Sequence, residues 1–380
     1  MFTSTRVPIF GRLRGGAISA SVVLAMLRVP AVAAQTSSAP TPRPEVATLG
    51  TCRFGASAAV PNCRVAYRAY GRLSAQRDNV VLIPTFFGGR SEDHRFMLGA
   101  YVDTTRYHVI IVDALADGYS SSPSTTPAGP AAFADLTIGD MVDLQYRLLT
   151  EHLGIRHVRA VVGISMGGFQ AFEWAVRYPT FMDATVPLFG TPRLTPYDRL
   201  VFETWRRSTE QLGGPWVDVD SAWVQASRLE VLFMRTPRFA NDSGDAALAR
   251  SVRELATSYR AAGWSLADYA AQIGAIGRHD VSTRFGGDLT RAAAAVRSRL
   301  LIVWATTDML VNPGPPSEFA RLVRADTLSV PSDCGHAVFW CEPQRIGRVV
   351  RDFVDRAPIL ATESRGAQPH AARRARSATP

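Results

Sequence analysis

Short runs of consecutive apolar residues alternate along the chain with stretches whose apolar positions recur at helical spacing. The runs at 80–83, 109–112, 158–162, 185–189 and 300–304 are each four or five residues long and rich in Val, Ile and Leu. Largely apolar runs of that length predict central strands of a parallel sheet, buried on both faces. Between two of them, 138–153 reads as a helix, with Thr137 as N-cap, Asp140 three residues on, and Gly154 as the stop. A second helix is expected over Met166–Arg177, ending ahead of Pro179. Strand and helix in this alternation predict an α/β fold, a mostly parallel, doubly wound sheet.

The alternation stops between 192 and 297. That stretch holds Trp205, Trp216, Trp223 and Trp264 among helical segments such as 246–262, and a strand pattern returns only at Leu300. An inserted helical lid over the sheet is expected there. The sheet-forming core then falls into two parts, 46–191 and 298–360. Residues 361–380, rich in Ala, Arg and Pro, read as a disordered basic tail.

Composition supports a large folded core: of 380 residues, 47% are hydrophobic, too many for an intrinsically disordered chain. No window of about 20 consecutive apolar residues is present, which excludes a multi-span membrane protein. The net charge of +9 is carried mostly by the ends. Arg6, Arg12, Arg14 and Arg28 stand in 1–34 with no acid, and Arg365, Arg373, Arg374 and Arg376 face only Glu363 in the tail. The nearly balanced remainder presents no basic face, so no nucleic-acid partner is expected. Three N-terminal arginines, the short apolar stretch 15–27 and the small residues Ala31-Val32-Ala33 have the layout of a cleaved signal peptide over 1–34, followed by a linker over 35–45. A periplasmic or secreted protein, with no stable membrane span after cleavage, is the expectation.

Four cysteines occur as two local pairs, Cys52 with Cys63 and Cys334 with Cys341. Three connectivities are open to them, and in an oxidising compartment the local pairing is the simplest. Their spacing suggests no zinc site, so the expected set of metal ligands is empty.

The candidate chemistry centres on Gly163-Ile164-Ser165-Met166-Gly167. Gly-x-Ser-x-Gly is a weak pattern alone, but here it joins an apolar strand to a helix, the context that lifts a serine hydroxyl above a sheet as a nucleophile. A serine needs a base, held in turn by an acid, and on an α/β-hydrolase sheet these follow in the order Ser, acid, His. Past the lid only His336 and His370 remain, and His370 lies in the tail. Asp308 follows the run 300–304 at the carboxyl end of a strand, where sites gather, with Asp326 and Asp333 as weaker rivals. The expected catalytic set is Ser165, Asp308 and His336. Met166 N–H and Phe86 N–H, the latter in the loop after 80–84, are the expected oxyanion donors. Glu92, Asp93 and His94 read as a solvated charged loop rather than a metal site.

The chain resembles the homoserine O-acetyltransferase family of α/β-hydrolase-fold proteins. The likeness spans about 65–355 and is densest in Leu136-Thr137-Ile138-Gly139-Asp140-Met141-Val142, in His152-Leu153-Gly154-Ile155, in Gly163-Ile164-Ser165-Met166-Gly167-Gly168-Phe169-Gln170 and in Glu173-Trp174-Ala175-Val176-Arg177-Tyr178-Pro179. It implies an acyl-serine intermediate, a helical lid, the same triad positions, and a homodimer through the lid. Two departures bear on function. Family transferases carry Gly-His-Asp at the histidine, where the Asp helps hold the homoserine amino group; this chain has Gly335-His336-Ala337. The family's lid arginine for the homoserine carboxylate corresponds loosely to Arg206 or Arg207. An exported enzyme would also meet no acyl-CoA. These points favour a serine hydrolase cleaving a small-molecule carboxylic ester without a cofactor; the alternative is an acyltransferase moving an acyl group from acyl-CoA to an alcohol or amine.

Overall fold

The computed structural model describes residues 43–212 and 218–356. The expected signal peptide, the linker up to residue 42, Trp216, His370 and the basic tail lie outside the described residues. Eight strands form one sheet: β1 Glu45–Thr48, β2 Arg64–Tyr70, β3 Val80–Pro84, β4 His108–Val112, β5 Val158–Ile164, β6 Met182–Leu188, β7 Arg299–Ala305 and β8 Asp326–Val330. Their order is β1-β2-β4-β3-β5-β6-β7-β8. The first two strands run antiparallel to their neighbours and the remaining six are parallel.

Side-chain alternation along the strands explains why the central runs are largely apolar on both faces. Val80 and Leu82 of β3 pack on one side with Ile138 and Met141 of α1 (Ile138–Arg147). Val81 and Ile83 pack on the other with Ile346, Val350 and Phe353 of the C-terminal helix. All residues of β5 and β6 are buried for the same reason. The start of α1 is fixed by the expected capping box: Thr137 Oγ1 accepts the Asp140 N–H, and Asp140 accepts the Thr137 N–H at 2.9 Å. The helix then loosens into a wider turn over Leu148–His152 before Gly154, so it is not one α-helix to 153. Next comes α2, Met166–Arg177, with the expected bounds.

Five helices follow β6: α3 Pro196–Leu212, α4 Val219–Met234, α5 Pro237–Ser243, α6 Asp245–Ala261 and α7 Leu266–Gly277. The insertion is shorter than expected. α8 (Leu289–Ala295) buries Leu289, Ala292 and Ala293 against Phe172 of α2 and Phe319 of α9 (Gly314–Val323), so it belongs to the helical layer of the sheet. The lid therefore closes near Gly277, not at 297. Glu45 likewise belongs to β1, where the sequence suggested linker. α10 (Val338–Cys341) and α11 (Pro343–Arg356) complete the described chain. Disulfides join Cys52 to Cys63 and Cys334 to Cys341.

Candidate active site

β5 ends at Ile164 and α2 begins at Met166, which leaves Ser165 alone in the turn with φ 54° and ψ −120°. That left-handed backbone is costly for a side chain bearing a Cβ, and the turn persists only because its surroundings dictate it. Glycine is required on both sides. A Cβ on Gly163 would lie 2.0 Å from the Gly167 carbonyl oxygen, and one on Gly167 would lie 2.4 Å from the Pro84 carbonyl oxygen. The Ser165 N–H donates to the Leu188 carbonyl at 2.8 Å, tying the turn to β6.

The structure brings Ser165, His336 and Asp308 into one hydrogen-bonded row. His336 Nδ1 and Asp308 Oδ2 are 2.7 Å apart, and His336 Nε2 and Ser165 Oγ are 2.8 Å apart. Asp308 follows β7, and its Oδ1 accepts the N–H groups of Leu310 and Val311, each at 2.9 Å. With one carboxylate oxygen fixed by the backbone, the other is aimed at Nδ1. That carboxylate keeps the proton on Nδ1 and leaves Nε2 as the acceptor facing the serine hydroxyl. His336 is buried and stands on a short helical turn, Gly335–Ala337, between Cys334 and Cys341. The rival acids are elsewhere: Asp326 pairs with Arg299 at 2.7 Å, and Asp333 lies 3.5 Å from Arg238.

The two expected oxyanion donors stand differently. Met166 is the first residue of α2, so its N–H has no intrahelical partner and sits at the positive end of the helix. The Phe86 N–H is already engaged, donating to His94 Nε2 at 3.0 Å. His94 is fully buried, and its Nδ1 lies 3.0 Å from the Arg90 carbonyl. Since that carbonyl can only accept, Nδ1 carries the proton. Burial pulls the His94 pKa down to about 4, keeping the ring neutral. Of residues 92–94, Asp93 is exposed and Glu92 partly exposed, as a solvated charged segment requires, whereas His94 is buried. They sit in a helical turn, Ser91–Met97, whose histidine holds the loop after β3. Among the described residues no cluster of three or more His, Cys, Asp or Glu is placed to hold a metal ion.

Above Ser165 the lid encloses a cavity of about 390 Å³. Its walls are mainly apolar, with many aromatic rings including Phe86, Phe87, Trp205, Tyr259, Trp264 and Phe339, and Glu230 and Asp93 are the acids; no Arg is among the described residues that line it. The lid arginines expected from the resemblance are not part of it. Arg206 pairs with Glu203 and Glu210, and Arg207, 69% exposed, pairs with Glu203. Both follow the i,i+3 and i,i+4 geometry of α3, whose helical spacing places their acids beside them. Glu230 was not anticipated. A glutamate on an amphipathic lid helix reads as solvated face, and nothing in the sequence shows that α4 turns it inward. A larger, more open cleft of about 770 Å³ lies between α3, α7 and residues 130–134, and no residue of the Ser165 row lines it.

Residues 78–343 match the family described as the alpha/beta hydrolase fold. The chain belongs to that family. It is 38% identical to the ethyl acetate hydrolase of Pseudomonas veronii over 165 residues, covering 42% of this chain and 47% of the relative, so the match spans about half of that enzyme. It is 26% identical to the homoserine O-acetyltransferase of Chlorobium chlorochromatii over 338 residues, 80% of this chain and 92% of the relative. Among solved structures the acetyl esterase MekB superposes with a TM-score of 0.75 at 26% identity, covering 83% of this chain and 97% of that one. The family is thus common to esterases and homoserine acyltransferases, and the α/β-hydrolase member described here shares sequence with both.

Proposed function

We propose that this α/β-hydrolase is a serine esterase that cleaves small carboxylic esters in water. One observation carries the choice: among the described residues, the lid cavity over Ser165 is lined by apolar and aromatic residues and two carboxylates and by no Arg. The homoserine carboxylate would meet no cation there. Position 337 is Ala, where the transferases of the family carry an acid after the histidine. Two relatives support short-chain esters, by name an ethyl acetate hydrolase and an acetyl esterase. The acyltransferase reading draws on the transferase relatives that cover most of the chain.

In the proposed reaction Ser165 Oγ attacks the ester carbonyl carbon while His336 Nε2 takes the hydroxyl proton. Asp308 holds Nδ1–H and stabilises the imidazolium. The carbonyl oxygen becomes an oxyanion facing the Met166 N–H, and such a donor is worth about 3 kcal/mol. The C–O bond to the alcohol breaks, and the alcohol leaves with the proton from His336. Water then gives a proton to His336, attacks the acyl carbon, and releases the acid and free Ser165. The N-terminal signal pattern and the two disulfides support action outside the cytoplasm. The test supplies acetyl-CoA plus homoserine in one assay and ethyl acetate in another. Acetate release from the ester without acetyl-homoserine formation supports the proposal, and the converse overturns it.

A further inference from the structure

Glu230 belongs to α4 and lines the cavity, within reach of the electrostatic field of His336. Both tyrosine hydroxyls that meet it donate to one oxygen, Oε2: Tyr259 at 2.9 Å and Tyr269 at 2.8 Å. No described residue donates to Oε1. Among the described residues the cavity offers no compensating cation. His336 is occupied on both nitrogens by Asp308 and Ser165, and the second wall carboxylate, Asp93, has an oxygen accepting the Arg90 N–H at 2.8 Å. The Arg90 guanidinium does not line the cavity; it is bonded to the carbonyls of Asp117 and Ala262 and lies over the rings of Tyr119 and Trp264. A carboxylate that faces a largely apolar cavity with no cation beside it is costly to keep charged. Burial raises the Glu230 pKa, while the two tyrosine hydroxyls oppose that rise by stabilising the anion. Trp205, Tyr259 and Trp264 line the same cavity, and aromatic rings are surroundings in which ammonium groups are held.

We propose that Glu230 and these aromatic walls form a subsite for a compact ammonium group, so that the esters preferred by the enzyme are cationic. Glu230 is a specificity-determining residue on this reading, and the inference rests on the esterase function proposed above. A neutral ester of the same shape would leave Oε1 unpaired, and an anionic one would be repelled by both carboxylates.

Acetylcholine and 3,3-dimethylbutyl acetate have the same shape and differ in the charge of one atom, which makes them the test pair. The wild-type enzyme is expected to show a kcat/KM at least tenfold higher for acetylcholine, and Glu230→Gln is expected to bring that ratio near one. Choline should inhibit p-nitrophenyl acetate hydrolysis by the wild-type enzyme at least tenfold more strongly than 3,3-dimethylbutan-1-ol, a readout needing no variant. Equal rates on the two esters with equal inhibition by the two alcohols would overturn the subsite and leave the esterase standing. Turnover of neither ester by a protein whose Ser165 takes a fluorophosphonate would overturn the esterase reading, and the subsite with it.

Discussion

The main-chain N–H of Phe86 donates to Nε2 of the buried His94 at 3.0 Å, so one side chain eight residues on holds the loop that faces Ser165. The bond requires a neutral ring, because a protonated Nε2 cannot accept. His94 has its pKa lowered by burial to about 4, against about 6.5 when unfolded. Between those values the unfolded chain binds the proton and the folded chain does not. Stability is therefore complete above about pH 6.5 and is lost as the pH falls toward 4. The loss between pH 7.5 and 4.5 is on the order of 2 to 3 kcal/mol from this one group. His279, buried and lowered in the same sense, adds to it. His94→Gln keeps an acceptor for Phe86 and cannot titrate. Urea unfolding at both pH values should show a smaller acid loss in the variant than in the wild type; equal losses would contradict this role.

Ser165→Ala should abolish ester turnover with the melting temperature nearly unchanged, since it removes one hydroxyl beside a cavity. Asp308→Asn should lower kcat by roughly 10⁴-fold, because an amide no longer selects the Nδ1–H tautomer. Residual turnover in Ser165→Ala above the uncatalysed rate would remove Ser165 from its proposed role.

Much of this was legible in the chain. Val80–Pro84, Val158–Ile164 and Arg299–Ala305 stand inside the sheet with both faces covered, and each keeps at least three consecutive apolar residues that make it conspicuous. Met166–Arg177 is announced by the glycine-flanked turn before it and Pro179 after it. β2 was not visible, because Arg64 and Arg68 interrupt its apolar run; Arg68 is buried and ion-paired to Glu92 at 2.7 Å. The short, mostly exposed β1 carries no alternation to read. The end of the lid was misplaced because α8 follows it directly, and an alanine-rich helix looks alike on a lid and on a sheet. Arg206, Arg207 and Glu230 were the hardest, since which way a lid helix turns depends on the packing of its neighbours.

The Cys334–Cys341 bond closes a loop of eight residues around His336. In the chain-entropy picture that closure contributes about 2.5 kcal/mol. Replacing both cysteines by serine should lower thermal stability and also kcat, because the turn that positions Nε2 against Ser165 is freed. The same exchange at Cys52 and Cys63, remote in sequence from the Ser165 row, should lower stability alone. Melting curves and ester turnover on the two double variants distinguish these outcomes.

Gly163→Ala should prevent proper folding, because its new methyl would fall 2.0 Å from the Gly167 carbonyl oxygen, against backbone that cannot yield. Soluble yield and near-ultraviolet circular dichroism report the loss; a soluble, fully active variant would contradict the elbow geometry.

The central claim is that water, not an amino-acid alcohol, resolves the acyl-serine. Stopped-flow hydrolysis of p-nitrophenyl acetate, followed through the first seconds with and without homoserine, tests it most directly. Sustained steady turnover at the same rate in both, with acetate as the acyl product, is expected. A burst of one nitrophenol per Ser165 that stalls in water and resumes on adding homoserine would contradict it.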